Sequence, residues 1–279
     1  MLAVVLALTA SLAFGFTDFL GGLASRSAHV LVVGTIVQPV GLLLMVPLLA
    51  VFPGEVSAPA LWWGLMAGLG GAIAFLMLFR SLAIGPMSVA SPLSALTSAI
   101  VLVLAGLALG ERLDALSIIG IVMGLAAVLL ITRQHEDNPH PVTRGVVVLS
   151  LTAGFFVAVF FLGLERAPED SGLWPLITSR AVACTVMVLA AVASRVVARP
   201  EPTVVKLSLG SATFDVVATA SFLFATRAGL LAIVAVITAL YPAGTILMAR
   251  VVLGERMQAI QKAGLAVAAC SVVLLALAS

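Results

Sequence analysis

Apolar residues run almost unbroken along this chain, in stretches interrupted only by short turns. The runs cover 2–22, 29–52, 60–83, 88–108 and 114–132, then 144–165, 172–197, 204–226, 230–252 and 258–278. A helix crossing a hydrocarbon core of about 30 Å needs about 20 mostly apolar residues, and each run is close to that length. A transmembrane barrel would alternate apolar and polar positions, whereas these runs are apolar on every side. The breaks fall at turn chemistry: "FPGEVSAP" (52–59), "IGPMS" (84–88), "APEDSG" (167–172) and "ARPEP" (198–202). The pattern predicts an all-α integral membrane protein with ten transmembrane helices.

Composition agrees. The chain is 62% hydrophobic and 9% charged, where soluble domains carry about a quarter charged residues. A net charge of +2, with basic residues scattered at the ends of apolar runs, gives no nucleic-acid surface. The opening "MLAVVLALTASLAFG" lacks a basic leader and is longer than a signal-peptide core, so it reads as the first span. Cys184 and Cys270 fall inside apolar runs and are expected as unpaired, buried thiols. The longest polar stretch, "TRQHEDNPHPVTR" (132–144), reads as a linker, placed at 134–143. His135 and His140 lie in it and His29 lies in a short loop, without zinc-like spacing; no metal or other cofactor is expected.

Residues 85–130 slide onto 229–274 without a gap. Gly85 meets Gly229, Ala95-Leu96 meet Ala239-Leu240, and Leu109-Gly110-Glu111-Arg112 meet Leu253-Gly254-Glu255-Arg256. Charges are scarce here, so the Gly-Glu-Arg block outweighs the matches among apolar residues. "SLAFGF" (11–16) and "SLTAGF" (150–155) also correspond. The chain therefore reads as two copies of a five-helix unit, residues 1–133 and 144–279. Because five is odd, the second copy enters the membrane from the opposite face, which gives an inverted repeat of the kind found in secondary transporters. Glu111 and Glu255 are placed to accept free N–H groups of the helix that follows each.

Ten helices in two such halves, each closing its fourth helix with "LGER", resemble the EamA-type transporters of the drug/metabolite transporter superfamily. "FGFTDFLGGLASR" (14–26) is similar to the family's first-helix motif, and "ALYPAGTILMARVVLGER" (239–256) to its ninth-helix pattern. Phe14 stands where many relatives carry Trp. The resemblance implies a central cavity built by helices one, three, four, six, eight and nine. It also implies export of amino acids or similar metabolites by alternating access.

A charge within the hydrocarbon costs roughly 3 kcal/mol on insertion scales, so each one points to a site. Asp215 falls near the middle of its span, where a carboxylate suits a substrate amine or proton coupling; a structural pair with Arg180 is the competing reading. Asp18 lies near the far end of the first span. Arg80 and Arg227 end theirs and are expected to snorkel to headgroups. "SVASPLSALTS" (88–98) puts Ser91 and Ser94 on one stripe with Thr97 nearby, and Pro92 removes one backbone hydrogen bond. Thr238 and Tyr241, the latter followed by Pro242, are the counterparts in the second half. Small hydroxyl residues beside a proline, repeated in both halves, mark a transporter site, although tight packing explains the serines equally well. Phe14, Phe155 and Trp174 are candidate cavity walls. Gly120 and Gly124 form a close-packing face, for a dimer or for an internal neighbour.

Ten basic residues fall in the loops of one face and three in those of the other. The positive-inside rule puts both termini outside, while the resemblance implies cytoplasmic termini. The functional expectation is a secondary carrier in a cell membrane, a bacterial inner membrane on this reading. Its partners are the lipid bilayer and a small-molecule substrate, with proton coupling open, as monomer or homodimer. A multidrug or nucleotide-sugar carrier of the same architecture is the alternative. A non-transporting receptor or scaffold and an intramembrane enzyme are the alternatives of other classes, and the latter would need clustered catalytic groups at membrane depth. No "GxxxxGK[ST]" phosphate loop is present.

Overall fold

The computed structural model describes residues 1–131, 142–196, 199–253 and 258–278. The helices are α1 (Leu2–Ser27), α2 (Val30–Met45), α3 (Ala58–Ile84), α4 (Met87–Ala108), α5 (Ala115–Ile131), α6 (Arg144–Glu165), α7 (Trp174–Ala193), α8 (Pro202–Ala228), α9 (Leu231–Thr238), α10 (Pro242–Leu253) and α11 (Ala259–Leu277). Among the described residues eight helices are long and apolar enough to cross a membrane, with α5 and the α9 region as shorter apolar ones. His135, His140 and the second Gly-Glu-Arg block (254–256) lie outside the described residues.

The ninth crossing departs from the single helix expected over 230–252. It breaks at Ala239-Leu240-Tyr241, leaving α9 and α10 as its two parts. Pro242 has no N–H to donate and disfavours helical geometry in the residue before it. The turn is instead closed by short bonds, Leu240 N–H to Ile237 O (3.2 Å) and Tyr241 N–H to Thr238 O (3.1 Å). By contrast α4 runs through Pro92 as one helix. Below Pro39, α2 tightens into a 3₁₀ turn at Val46–Ala50, with Pro47 in its first turn.

Helix pairing follows the inverted repeat. α1 packs along α8, and its counterpart α6 packs along α3; α4 lies on α6, and the broken ninth crossing lies on α1. α5 packs on its own counterpart, α11. Here the glycine face finds its neighbour: a Cβ on Gly120 would lie 2.7 Å from the Leu275 side chain, and one on Gly264 would lie 2.6 Å from Ile131 N. Those glycines let α5 and α11 approach within one chain.

On the face reached by Leu2 and Leu277, the loops interlock. Trp174 Nε1 donates to Gly54 O (3.2 Å), and Glu55 N–H donates to Asp170 O (2.9 Å). Arg227 does not snorkel: it donates to Pro168 O (3.3 Å) and Ser171 Oγ (3.2 Å) and lies over the Phe224 ring. These acceptors are near enough to compete with headgroups for the guanidinium. His29 caps α2, with Nδ1 accepting the Leu31 N–H (3.2 Å). Neither cysteine is bridged; Cys184 is half-buried, and Cys270 is exposed on α11, contrary to the buried thiol expected.

Candidate functional site

A cavity of about 110 Å³ lies among α1, α2, α3, α6, α7, α8 and the break in the ninth crossing. One water needs roughly 10–15 Å³ on this measure, so the space holds several waters or part of a small metabolite. Its wall is largely apolar, with a cluster of rings (Phe14, Phe75, Phe79, Phe160, Phe161 and Tyr241) and few polar groups. That is the usual makeup of a ligand site: apolar walls and a small set of orienting groups.

Arg180 organises the polar part. It lies in the second turn of α7 and is only 4% exposed. Its guanidinium forms an ion pair with Asp215 of α8 and donates to Gln38 Oε1 of α2 (3.1 Å) and Thr219 Oγ1 (3.2 Å). Thr219 is one turn after Asp215, so both share a face of α8. Thr219 in turn donates to Asp215 O (2.8 Å). Nε of Arg180 is buried without a partner. A charge buried at this depth is tolerable only when paired and hydrogen-bonded, and this one is both.

Asp18 is the second acidic group of the cavity. It is 5% exposed, so it belongs to the interior and not to the membrane interface. Its Oδ2 accepts from Ser91 Oγ of α4 (3.1 Å). Ser91 O accepts from Tyr241 OH (3.2 Å). Asp18, Ser91 and Tyr241 thus link α1, α4 and the break in the ninth crossing through one residue. At the same break, α1 comes very close: a Cβ on Gly15 would lie 2.4 Å from Tyr241 O.

Of the residues singled out in the sequence, Phe14, Asp18, Arg180, Asp215 and Tyr241 line the cavity. Ser91 stands one layer behind, touching Asp18. Ser94 and Thr238 are buried outside the lining. Thr97 turns its hydroxyl back to Leu93 O (2.7 Å) and packs where Gly154 lets α6 approach. Phe155 is 50% exposed on the outer side of α6, against Phe156. Trp174 is engaged with Gly54 at the loop face. The wall also differs from the one the resemblance implies. Helices two and seven contribute Gln38, Ser179 and Arg180, whereas among the described residues α4 does not line the cavity and reaches the site through Ser91.

Gln38, Ser179 and Thr219 were missed in the sequence. Gln38 carried a signal, being an amide followed by Pro39 in an otherwise apolar span. Thr219 could have been found as the residue one helical turn beyond Asp215.

The structure resembles a protein solved by crystallography, with a TM-score of 0.70 and 18% identity over 99% of each chain. That likeness shows the fold. No curated protein sequence matches the chain. The family model for EamA-like transporters matches residues 1–133 and again 144–277. With the match extending over nearly the whole length, the chain belongs to the EamA-like transporter family of the drug/metabolite transporter superfamily, and is a multi-pass membrane protein of transporter type.

Proposed function

We propose that the protein is a secondary active transporter exporting amino acids or related small metabolites by alternating access. The observation that carries this reading is the placement of Asp18, Arg180 and Asp215 in one buried cavity, lined from both halves of the repeat. Charged groups at this depth are costly and mark substrate or ion pathways. The halves are taken as 1–133 and 144–279, joined by 134–143.

The interlocked loops on the Leu2/Leu277 face support a closed gate there, and the ninth crossing supplies a hinge. A helix broken beside a site can tilt its two parts separately, as discontinuous helices do in other carriers. The hinge residue Tyr241 touches the cavity and, through Ser91, is linked to Asp18. Occupancy of the cavity can therefore bias the break. Proton coupling would run through Asp18 or Asp215.

Counterflow in proteoliposomes, with a panel of amino acids, amines, sugars, nucleosides and cationic drugs, tests the reading. Exchange with at least one preloaded metabolite is expected, driven further by an imposed pH gradient if a proton is coupled. Absence of exchange across the panel, with correctly inserted protein, would count against a carrier. Exchange confined to drugs or nucleotide sugars would replace the metabolite reading with the other carrier classes.

A further inference from the structure

We infer that the cavity selects an organic amine with an apolar or aromatic body, and that Asp18 is the carboxylate that meets its ammonium group. This rests on the carrier reading of the same site and narrows its substrate from amino acids to related amines.

Charge is the first ground. The cavity lining contains two carboxylates, Asp18 and Asp215, and one guanidinium, Arg180. Arg180 is committed to Asp215, Gln38 and Thr219. Asp18 has a hydroxyl neighbour, Ser91, and among the described residues no cationic side chain pairs with it. One buried carboxyl group is thus left without a counter-ion, and a cation entering the space would supply that partner, whereas an anion would find none there.

The rings are the second ground. Phe14 lies one helical turn before Asp18 on α1, so both project from one face of the helix. Its ring meets Phe161 edge-on (centroids 5.5 Å apart) and lies 6.4 Å from the Tyr241 ring. Phe160 and the pair Phe75–Phe79 add further ring surface to the same cavity. A carboxylate among aromatic rings is how proteins hold ammonium groups: the carboxylate supplies the charge, and the ring faces attract the cation while packing on its carbon skeleton.

The competing charge types fit less well. An acid would have to displace Asp215 from Arg180 while facing Asp18. A zwitterion would satisfy Asp18, but its carboxylate would meet an Arg180 already committed to Asp215, Gln38 and Thr219.

Three ligands with the same phenyl-alkyl body test this: 2-phenylethylamine, phenylalanine and 3-phenylpropionate. Binding is measured by calorimetry on the purified full chain in detergent, and exchange by counterflow in proteoliposomes. The amine is expected to bind at least about tenfold more tightly than phenylalanine, a gap of about 1.4 kcal/mol. The acid is expected to show no saturable binding. Asp18→Asn, which keeps an oxygen for Ser91, is expected to weaken the amine by about tenfold or more. Equal or tighter binding of phenylalanine or the acid overturns the inference on the wild-type protein alone, whether or not the variant folds. So does amine binding that is indifferent to Asp18→Asn, or binding of none of the three. Amine binding that depends on Asp18 but is never exchanged leaves the inference standing and defeats the carrier reading. Phenylalanine exchange without amine binding does the reverse.

Discussion

The Glu111 carboxylate accepts the backbone N–H groups of Leu231 and Ala232, so the corner after α4 holds the start of α9 in the other half. It can do so because the chain turns sharply at Gly110 (φ +94°) and the carboxylate folds back over Gly106, where a Cβ would lie 2.3 Å from Oε2. The partner expected from the sequence was the next helix, α5. That helix is capped by Asp114 instead, through Ser117 N–H (2.8 Å). The first Gly-Glu-Arg phrase is therefore a clasp between the halves.

Replacing Glu111 tests the clasp. Glu111→Ala strips two N–H groups of their acceptor, at a cost of about 1–3 kcal/mol each where water does not replace it. Glu111→Gln keeps one oxygen and should lose less. Thermal unfolding in detergent should rank wild type above Gln and Gln above Ala. A melting point for Ala equal to that of wild type would refute the clasp.

The ion pair of Arg180 and Asp215 makes a second prediction. Removing one partner leaves the other charge buried, which costs about 3–5 kcal/mol in soluble interiors. Arg180→Leu and Asp215→Leu should each destabilise strongly. The double variant should be more stable than the sum of the two losses implies, because neither charge is then stranded. Strict additivity in unfolding measurements would show that the two groups do not depend on one another.

How much of this was legible can be traced residue by residue. The crossings were, because a bilayer demands a fixed length of apolar helix and little else here is polar. The inverted repeat was legible from one charged block in a chain where charges are rare. Asp215 and Arg180 stood out for the same reason, and Tyr241 as the single tyrosine, set before a proline. Phe155 and Trp174 did not sort correctly, because nearly all positions are apolar and the lipid-facing side has no pattern of its own. Nor could the sequence tell that Glu111 reaches α9, since that depends on which ends of which helices meet.

Acid should probe Asp114, which lies in the loop before α5. Hydrogen bonds from Ser117 hold its carboxyl below the usual carboxylate range. Its folded state favours the charged form, so its contribution to stability is present above the unfolded pKa, near 3.9, and is lost as pH falls through the lower folded value. Asp114→Asn keeps a capping oxygen but lacks the charge that the Ser117 hydrogen bonds favour, so it should melt somewhat below wild type at pH 7. Below about pH 4 the wild-type melting point should fall toward that of the variant. Parallel curves over that range would rule out this titration.

Gly15 gives the most geometric prediction. A Cβ there would lie 2.4 Å from Tyr241 O, 2.7 Å from Gly244 Cα and 2.7 Å from Thr245 N, all of them backbone atoms. Backbone cannot rotate aside as a side chain can, so Gly15→Ala must push α1 away from the break in the ninth crossing. Overpacking of this kind costs about 1–3 kcal/mol. Gly210→Ala on α8 is the control, since its Cβ would meet only the end of Leu20, at 3.0 Å. Both changes favour the helical state equally, by about 1 kcal/mol, so their difference isolates the contact. Gly15→Ala should melt lower than Gly210→Ala and lose transport more than it loses folded protein, because the hinge beside Asp18 is what it disturbs. If the two variants melt together and transport alike, α1 does not hold the hinge.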